Sequence, residues 1–414
     1  MRAVQVLGYG SCTDGRTLCV GRVPVPEPGE GEVLVRVRAA ALNGVDWKLA
    51  TGALRGARLG AAAAVRFPYT PGLDFSGVVV RAGRGARRLA AGDHVLGMVD
   101  AGALADYVCV RERYAARKPL NLSFVAAAAL PRAGTTALQA VHLALSGNGS
   151  GSRECARVLV LGSSSAVGLL AVQLVHRCSG GRGAACAVAV CPRTHANLLR
   201  ALGADEVIIE AGGMAAGGDG ATADGTNNNS SDGNGEGPWW QVLATPTRRV
   251  DAVVDCAGER HAYARSRCVL ADAARGPFVA VAEGACSRLA LPQLWRFSLR
   301  TAWRAALAHP PYHWLWPNLD RAAAGLRPLE RLHDLAEHAH LVAPVDSVFP
   351  LAAVSQAFAR LCAPGRAGKV VVRISDDDDD DDDDDDGSDD EKRSEGPVSQ
   401  WLTHEDATTT MAKP

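Results

Sequence analysis

Between Val158 and Gly168 the chain reads V-L-V-L-G-S-S-S-A-V-G. Four apolar residues in a row suit a buried strand, the glycine and three serines suit a tight turn, and Gly168 is expected to open a helix. A helix that starts just after a strand aims its free backbone N–H groups and its positive dipole end at one point. Ser164, Ser165, Ala166, Val167 and Gly168 are therefore a candidate cradle for a pyrophosphate. A purely structural turn is the competing reading, and the motif by itself leaves both open. The next apolar run ends in Cys191-Pro192-Arg193-Thr194, where a carboxylate would hold the 2′-hydroxyl of NAD. Arg193 and Thr194 suit a 2′-phosphate instead, which argues for NADPH over NADH, with a solvated loop arginine as the alternative.

Other chemistries have less support. The 11 cysteines stand singly with no C-x-x-C, so they read as reduced thiols rather than as a disulfide framework or a zinc site. No serine lies in a nucleophile elbow, which leaves the 11 histidines without an acyl-transfer partner.

Certain elements must hold the 158–168 turn in place. Up to about residue 130, short extended runs are cut by glycine and proline. Glu32 to Ala39 alternates, Gly77 to Val80 is a buried run, and Asp93 to Met98 follows a Gly-Asp turn, a pattern that predicts a β-rich barrel-like domain. From Arg157 strands alternate with helices: strands at 158–161, 187–190, 206–209, 251–254 and 278–281, with helices at 166–176 and 196–202. That rhythm predicts a parallel, doubly wound sheet. Helices over 328–340 and 351–362 and a strand over 369–374 follow. Residues 212–237 are rich in Gly, Asn, Ser and Asp and are expected to form a disordered insertion.

The net charge of −1 hides an asymmetry. Residues 375–414 hold 17 acids, 11 of them in the run Asp376 to Asp386, against three bases; the body up to residue 374 is thus +13 and the tail −14. A basic body suits anionic ligands. The tail is expected to be disordered, either as a solubilising appendage or as a competitor for anionic ligands that folds back on the body. Trp295, Leu299, Trp303 and Leu307 recur every four residues beside Arg296, Arg300 and Arg304. A helix of that pattern would pack over a cleft or lie on an anionic membrane surface. The stretch Val158 to Val175 is broken by its Gly-Ser turn, so no transmembrane helix is expected. The apolar run from Ala3 to Leu7, close behind Met1, gives no sign of a secretory signal.

These blocks resemble one family. A-L-N-G-V-D-W-K (41–48), F-P-Y-T-P-G-L-D-F-S-G-V-V (67–79), G-D-H-V-L-G (92–97), L-P-R-A-G-T-T-A-L-Q-A (130–140), the 158–168 turn, L-L-R-A-L-G-A-D-E-V-I (198–208), V-D-A-V-V-D-C-A-G (250–258) and G-R-A-G-K-V-V-V (365–372) are similar to those of zinc-free medium-chain dehydrogenases/reductases of the quinone oxidoreductase type. The plant chloroplast-envelope quinone oxidoreductase and alkenal reductase branch looks nearest. The resemblance implies an α/β fold with a GroES-like β-barrel domain at 1–130 and a Rossmann NADPH-binding domain at 131–290. A C-terminal segment at 291–374 would complete the fold ahead of the polyacidic tail at 375–414.

The resemblance also assigns residues. The diphosphate would lie on Ser164 to Gly168, the 2′-phosphate on Arg193 and Thr194, the nicotinamide end near Asn43 and Thr136, and the cofactor would pass over Ala257 and Gly258. Asn43 and Lys48 are the candidates for stabilising the anion formed on hydride transfer. Two positions depart from the family. Ser165 replaces a glycine and is expected to crowd the pyrophosphate, and Glu210 replaces a tyrosine where it would repel a 2′-phosphate. At the zinc positions of metal-dependent relatives stand Asn43 and Gly72-Leu73-Asp74, so no zinc is expected. The implied activity is hydride transfer from NADPH to a quinone or an α,β-unsaturated carbonyl. The alternative is a catalytically weak NADPH-binding sensor or nucleic-acid binder, although no RNA-binding motif is present. A homodimer with no specific nucleic-acid partner is implied, in the cytoplasm or, alternatively, at the chloroplast envelope without a cleaved transit peptide, where peripheral membrane contact would be possible.

Overall fold

The structure, a computed structural model, describes residues 1–13, 16–54, 65–146, 155–178, 185–210, 238–259, 261–281, 312–315, 328–338 and 341–375. The 212–237 insertion, the 295–307 helix pattern and the polyaspartate run lie outside these residues.

The first body is built on one long strand. A hairpin of β1 (Arg2–Val6) and β2 (Leu18–Arg22) precedes β3 (Glu32–Ala41) and the short helix α1 (Gly44–Thr51). β4 (Asp74–Ala82), β5 (His94–Met98), β6 (Tyr107–Arg111) and β7 (Ala115–Arg117) follow. β3 pairs along its length with β4 and near its start with β6. Its alternating first half gives way to Ala39-Ala40-Ala41, buried on both faces. Small residues are required there because α2 (Phe124–Ala128) packs against that end, with Ala39 and Ala41 touching Ala128 and Ala129.

The second body begins with α3 (Pro131–Ser146) and continues as β8 (Ala156–Leu161), α4 (Ala166–Arg177), β9 (Ala185–Cys191), α5 (Ala196–Ala201), β10 (Glu206–Ile209), α6 (Trp239–Val242), β11 (Ala252–Asp255), α7 (Ala262–Val269), β12 (Phe278–Val281) and β13 (Tyr312–Leu315). Its six strands are all parallel, in the order β10-β9-β8-β11-β12-β13. With β8 as strand 1 this is the 3-2-1-4-5-6 order of a dinucleotide-binding sheet, in which the direction of winding reverses between β8 and β11. The central strands β8, β9, β11 and β12 are largely buried apolar runs, as strands covered on both faces are. β13 falls where no strand was expected.

The chain then returns. After α8 (Pro328–His338), β14 (Val345–Pro350) leads through α9 (Val354–Cys362) to β15 (Lys369–Arg373). β15 pairs antiparallel with Ala39 to Ala41 of β3, so the last strand completes the first sheet. The start of β15 thereby comes to lie against the start of β4 and the cap of α1. Among the described residues no helix is long and apolar enough to cross a membrane.

Candidate functional site

The turn after β8 is shaped by two glycines and a serine. Ser165 is the N-cap of α4, and its hydroxyl accepts the N–H of Gly168 at 3.0 Å. Its Oγ is thereby turned back onto the helix's own first turn. Gly168 does not open the helix, which starts at Ala166. It is a glycine because a Cβ there would stand 2.4 Å from the Gly162 carbonyl oxygen and 2.7 Å from Ser163 Cα. Gly162 has φ +66°, and a Cβ on it would stand 2.8 Å from the backbone nitrogen of Ala257. Strand β8 therefore turns in backbone contact with the loop after β11.

That loop is folded around a buried carboxylate. Asp255 Oδ1 accepts the N–H groups of Ala257 at 3.0 Å and Gly258 at 2.9 Å. Burial pushes the Asp255 carboxyl up to about 6, although these two bonds pull the other way. After β9, Arg193 and Thr194 lie exposed in a short turn that ends at the buried His195. His195 Nδ1 is 2.8 Å from Ser164 Oγ. Ser164 to Gly168, Arg193 with Thr194, and Ala257 with Gly258 all lie at the carboxyl ends of β8, β9 and β11. These ends flank the reversal of strand order, where ligands bind in such sheets.

Glu210 follows β10 and donates its backbone N–H to the Cys191 carbonyl at 3.1 Å. Burial and the nearby Glu259 raise its carboxyl above the usual range, while Arg265 opposes them. Glu259 accepts Trp239 Nε1–H at 3.0 Å and pairs with Arg265, whose guanidinium lies 3.5 Å from the centre of the Trp240 ring.

A second cluster sits in the first body, below the crevice. Lys369 Nζ, at the start of β15, donates to Asp74 Oδ2 at 2.8 Å and to Asn43 Oδ1 at 2.6 Å. Asn43 Nδ2 donates to the same Asp74 oxygen at 3.1 Å, and Asp74 Oδ1 accepts the backbone N–H of Arg132 in the first turn of α3 at 3.1 Å. All three side chains are buried, and Asp74 is 0% exposed. Below them Asp46 accepts the N–H groups of Asn43 and Gly72, both at 2.8 Å. Burial is the main cause that pushes its carboxyl up to about 6, and the positive charge of Lys369 moderates the rise.

The two clusters meet at one hydrogen bond. Gly368 N–H donates to the Ser164 carbonyl at 3.2 Å, so the residue before Lys369 is fixed to the turn after β8. On the same side His195 also hydrogen-bonds the Gly365 backbone, and Asp346 holds the connecting loop through a two-point pair with Arg360 (2.7 and 2.8 Å) and through Ala367 N–H at 2.9 Å.

Of the residues expected to act at the reacting end, Asn43 belongs to this cluster. Thr136 is buried one turn along α3 and spends its hydroxyl on the Arg132 carbonyl at 2.7 Å. Lys48 is buried in the last turn of α1, but the lysine that meets Asn43 is Lys369. Lys369 and Asp74 both stand in the blocks that carried the family resemblance. Their partnership, across 295 positions, has no local signal.

The buried cluster does not fit a zinc site. Its donors are one carboxylate and one amide, and the ammonium of Lys369 occupies both, where tetrahedral zinc needs three or four converging N, O or S ligands. Among the described residues no group of three or more His, Cys, Asp or Glu could hold a metal. The dinucleotide crevice does fit its group. A twelve-residue helix points its N-terminus at the crevice, and helix geometry leaves Ala166 and Val167 N–H without intrahelical acceptors.

Comparison with known proteins agrees with this architecture. Residues 29–120 match the family described as alcohol dehydrogenase GroES-like domain, and residues 236–372 the family described as zinc-binding dehydrogenase. The chain is 37% identical over 213 residues to the chloroplastic quinone-oxidoreductase QR1 of Triphysaria versicolor, covering 50% of this chain and 60% of that one. It is 36% identical over 196 residues to the chloroplastic NADPH-dependent alkenal/one oxidoreductase of Arabidopsis thaliana, covering 45% and 47%. The matched region thus spans roughly half to three-fifths of these relatives' length. The solved quinone oxidoreductase of Coxiella burnetii superposes with a TM-score of 0.65 at 24% identity, covering 91% of this chain and 99% of that one, a likeness of fold.

Proposed function

Since the chain belongs to the medium-chain dehydrogenase/reductase superfamily, we propose that it is a zinc-independent oxidoreductase that uses NADPH to reduce a quinone or the activated double bond of an α,β-unsaturated carbonyl. The observation that carries this reading is the Gly368 to Ser164 hydrogen bond of 3.2 Å, which joins the dinucleotide turn to the buried Lys369–Asn43–Asp74 cluster. The names of the plant relatives supply the substrate class.

When bound, the nicotinamide supplies a hydride. The chain's own residues hold and orient. The start of α4 and the turn from Ser164 receive the diphosphate, Arg193 and Thr194 the 2′-phosphate, and Ala257 with Gly258 form the floor of the crevice. Asp74 and Asn43 keep the Lys369 ammonium in a single position. A fixed positive charge of that kind stabilises an enolate or hydroquinone anion without reorganising as the charge develops. Asp46, at about 6, is a carboxyl suited to exchanging protons near neutral pH, two hydrogen bonds below the lysine. The printed names of the plant relatives support the chloroplast alternative.

The test is oxidation of NADPH, with NADH in parallel, by the purified chain against a quinone, a short alkenal and a saturated aldehyde. Turnover with the first two and not the third supports the proposal. Tight NADPH binding with no turnover on any of them favours the cofactor-binding sensor instead, and the acidic pair Glu210 and Glu259 beside the adenosine end is the feature that points to that reading.

A further inference from the structure

The opposite end of the dinucleotide sheet carries a pair of sulfurs. Cys155 immediately precedes β8, and Cys186 is the second residue of β9. The register pairs Arg157 with Cys186, and side chains two apart on a strand share a face, so Cys155, Arg157 and Cys186 lie on one side of the sheet. The two Sγ atoms are 2.9 Å apart, and both residues are partly exposed. A disulfide bond is about 2.05 Å long, so closure asks for less than about 1 Å of approach.

We propose that Cys155 and Cys186 are a site of reversible thiol oxidation, which closes to an intramolecular disulfide under a hydroperoxide and reopens under a dithiol. The step balances in two stages. The Cys155 sulfur attacks one peroxide oxygen, the O–O bond breaks, and the departing oxygen takes the thiol proton, so that a sulfenic acid and one water form from hydrogen peroxide, or a sulfenic acid and an alcohol from an organic hydroperoxide. The Cys186 sulfur then attacks the sulfenic sulfur, the S–S bond forms, the S–O bond breaks, and the hydroxyl leaves as water with the Cys186 proton. Both cysteine sulfurs are oxidised and the peroxide is reduced.

Three features support the assignment. The groups around the pair form a fixed charge frame. Arg157 pairs with Glu206 at 2.6 Å and takes Asp251 at its backbone N–H at 2.8 Å, while Asp205 holds Ala187 N–H at 2.6 Å and His176 at 3.1 Å. Those groups are engaged with partners of their own, and Cys186 feels Asp205 and Arg157 as charges that oppose each other. Burial and the adjacent Cys155 sulfur push the Cys186 thiol up to about 12. It therefore keeps its proton at neutral pH and is not the sulfur that attacks the peroxide. Finally, the pair lies at the amino ends of β8 and β9, whereas the dinucleotide turns lie at the carboxyl ends. Closing it staples the strand-helix-strand unit that presents Ser164 to Gly168 and Arg193 without entering the crevice. This inference is independent of the proposed activity.

The test uses the whole chain. Reduced protein is treated with one equivalent of hydrogen peroxide, remaining thiols are alkylated, and the tryptic peptides are mapped before and after a dithiol. Peptide 154–157 should be recovered joined to 183–193 with the link at Cys186 rather than Cys191, and should separate after the dithiol. Separate alkylation of both cysteines, or links spread over the other cysteines, would overturn the proposal. In Cys186→Ser, Cys155 should become trappable by dimedone after peroxide, and in the wild-type chain it should not. Equal trapping in the two proteins would overturn it as well.

Discussion

At the scale of single residues, the site depends on a charge buried with its partner. The Lys369 side chain is 3% exposed beside that of Asp74, which is 0% exposed. Breaking such a pair by removing one partner leaves the other charge unmatched and typically costs about 3–5 kcal/mol. Lys369→Met should therefore lower the melting temperature as well as turnover, the latter by ~10²-fold or more if the ammonium faces a developing anion. Asn43→Ala removes the acceptor for Lys369 and the donor to Asp74 but leaves the ion pair, so it should reduce kcat with a smaller loss of stability. Lys48→Met should leave the pH profile of kcat as in the wild-type chain, because the ammonium that Asn43 and Asp74 hold is that of Lys369. A shared loss of kcat in the Lys48 and Lys369 variants would mean that the sequence had pointed to the right lysine. Sequence reasoning reached Asn43 because a short block surrounds it. It missed Lys369 because a hydrogen bond between residues 43 and 369 exists only once β15 has paired with β3.

At the scale of elements, the turns at the carboxyl ends of the second sheet are legible where glycine is obligatory and opaque where a side chain caps. The strand at 158–161 and the helix from 166 were both readable from apolar runs and the Gly-Ser break. Ser165 was read as an obstacle because a sequence cannot tell which way an Oγ turns. Its hydroxyl caps α4, so Ser165→Ala should cost about 1 kcal/mol in thermal unfolding, and Ser165→Gly a few tenths. Gly168→Ala places a methyl group 2.4 Å from a backbone carbonyl. It should cost about 1–3 kcal/mol and weaken NADPH binding measured by nicotinamide fluorescence. The loop after β11 gives a pH test. Asp255 titrates at about 6 in the folded chain against 3.8 for its ordinary value. The folded state therefore holds the proton more tightly, and its advantage is complete below about pH 4 and lost as the pH rises through 6. Asp255→Asn keeps an oxygen for Ala257 and Gly258 N–H and carries no charge. It should be more stable than the wild-type chain at pH 8, by up to about 3 kcal/mol, and no more stable at pH 4, as read by denaturant midpoints at the two pH values.

At the scale of the whole molecule, two sheets share one crevice because the chain crosses twice, once into α3 and once back through β14 and β15. The first crossing falls between the extended runs that end near residue 130 and the strand–helix alternation that begins at Arg157. The second was legible only through the family resemblance, since the run from Lys369 reads as a buried strand with no indication of its partner. Charge is the property that sequence reports completely. The body up to residue 374 carries +13, and the segment 375–414 brings the chain to −1. A polyanionic ligand such as NADPH approaches that field from solution, where it acts over about 10 Å at 0.1 M salt and about 30 Å at 0.01 M. The chain lacking 375–414 should therefore bind NADPH faster and more tightly than the full chain at low ionic strength, and the two should converge above about 0.15 M, where screening leaves only contacts within the crevice. Stopped-flow fluorescence over that salt range separates the effects. A rate difference that vanishes with salt is a long-range field, an affinity difference that persists means that the acidic segment occupies the crevice itself, and identical curves at every salt concentration would rule out both forms of competition.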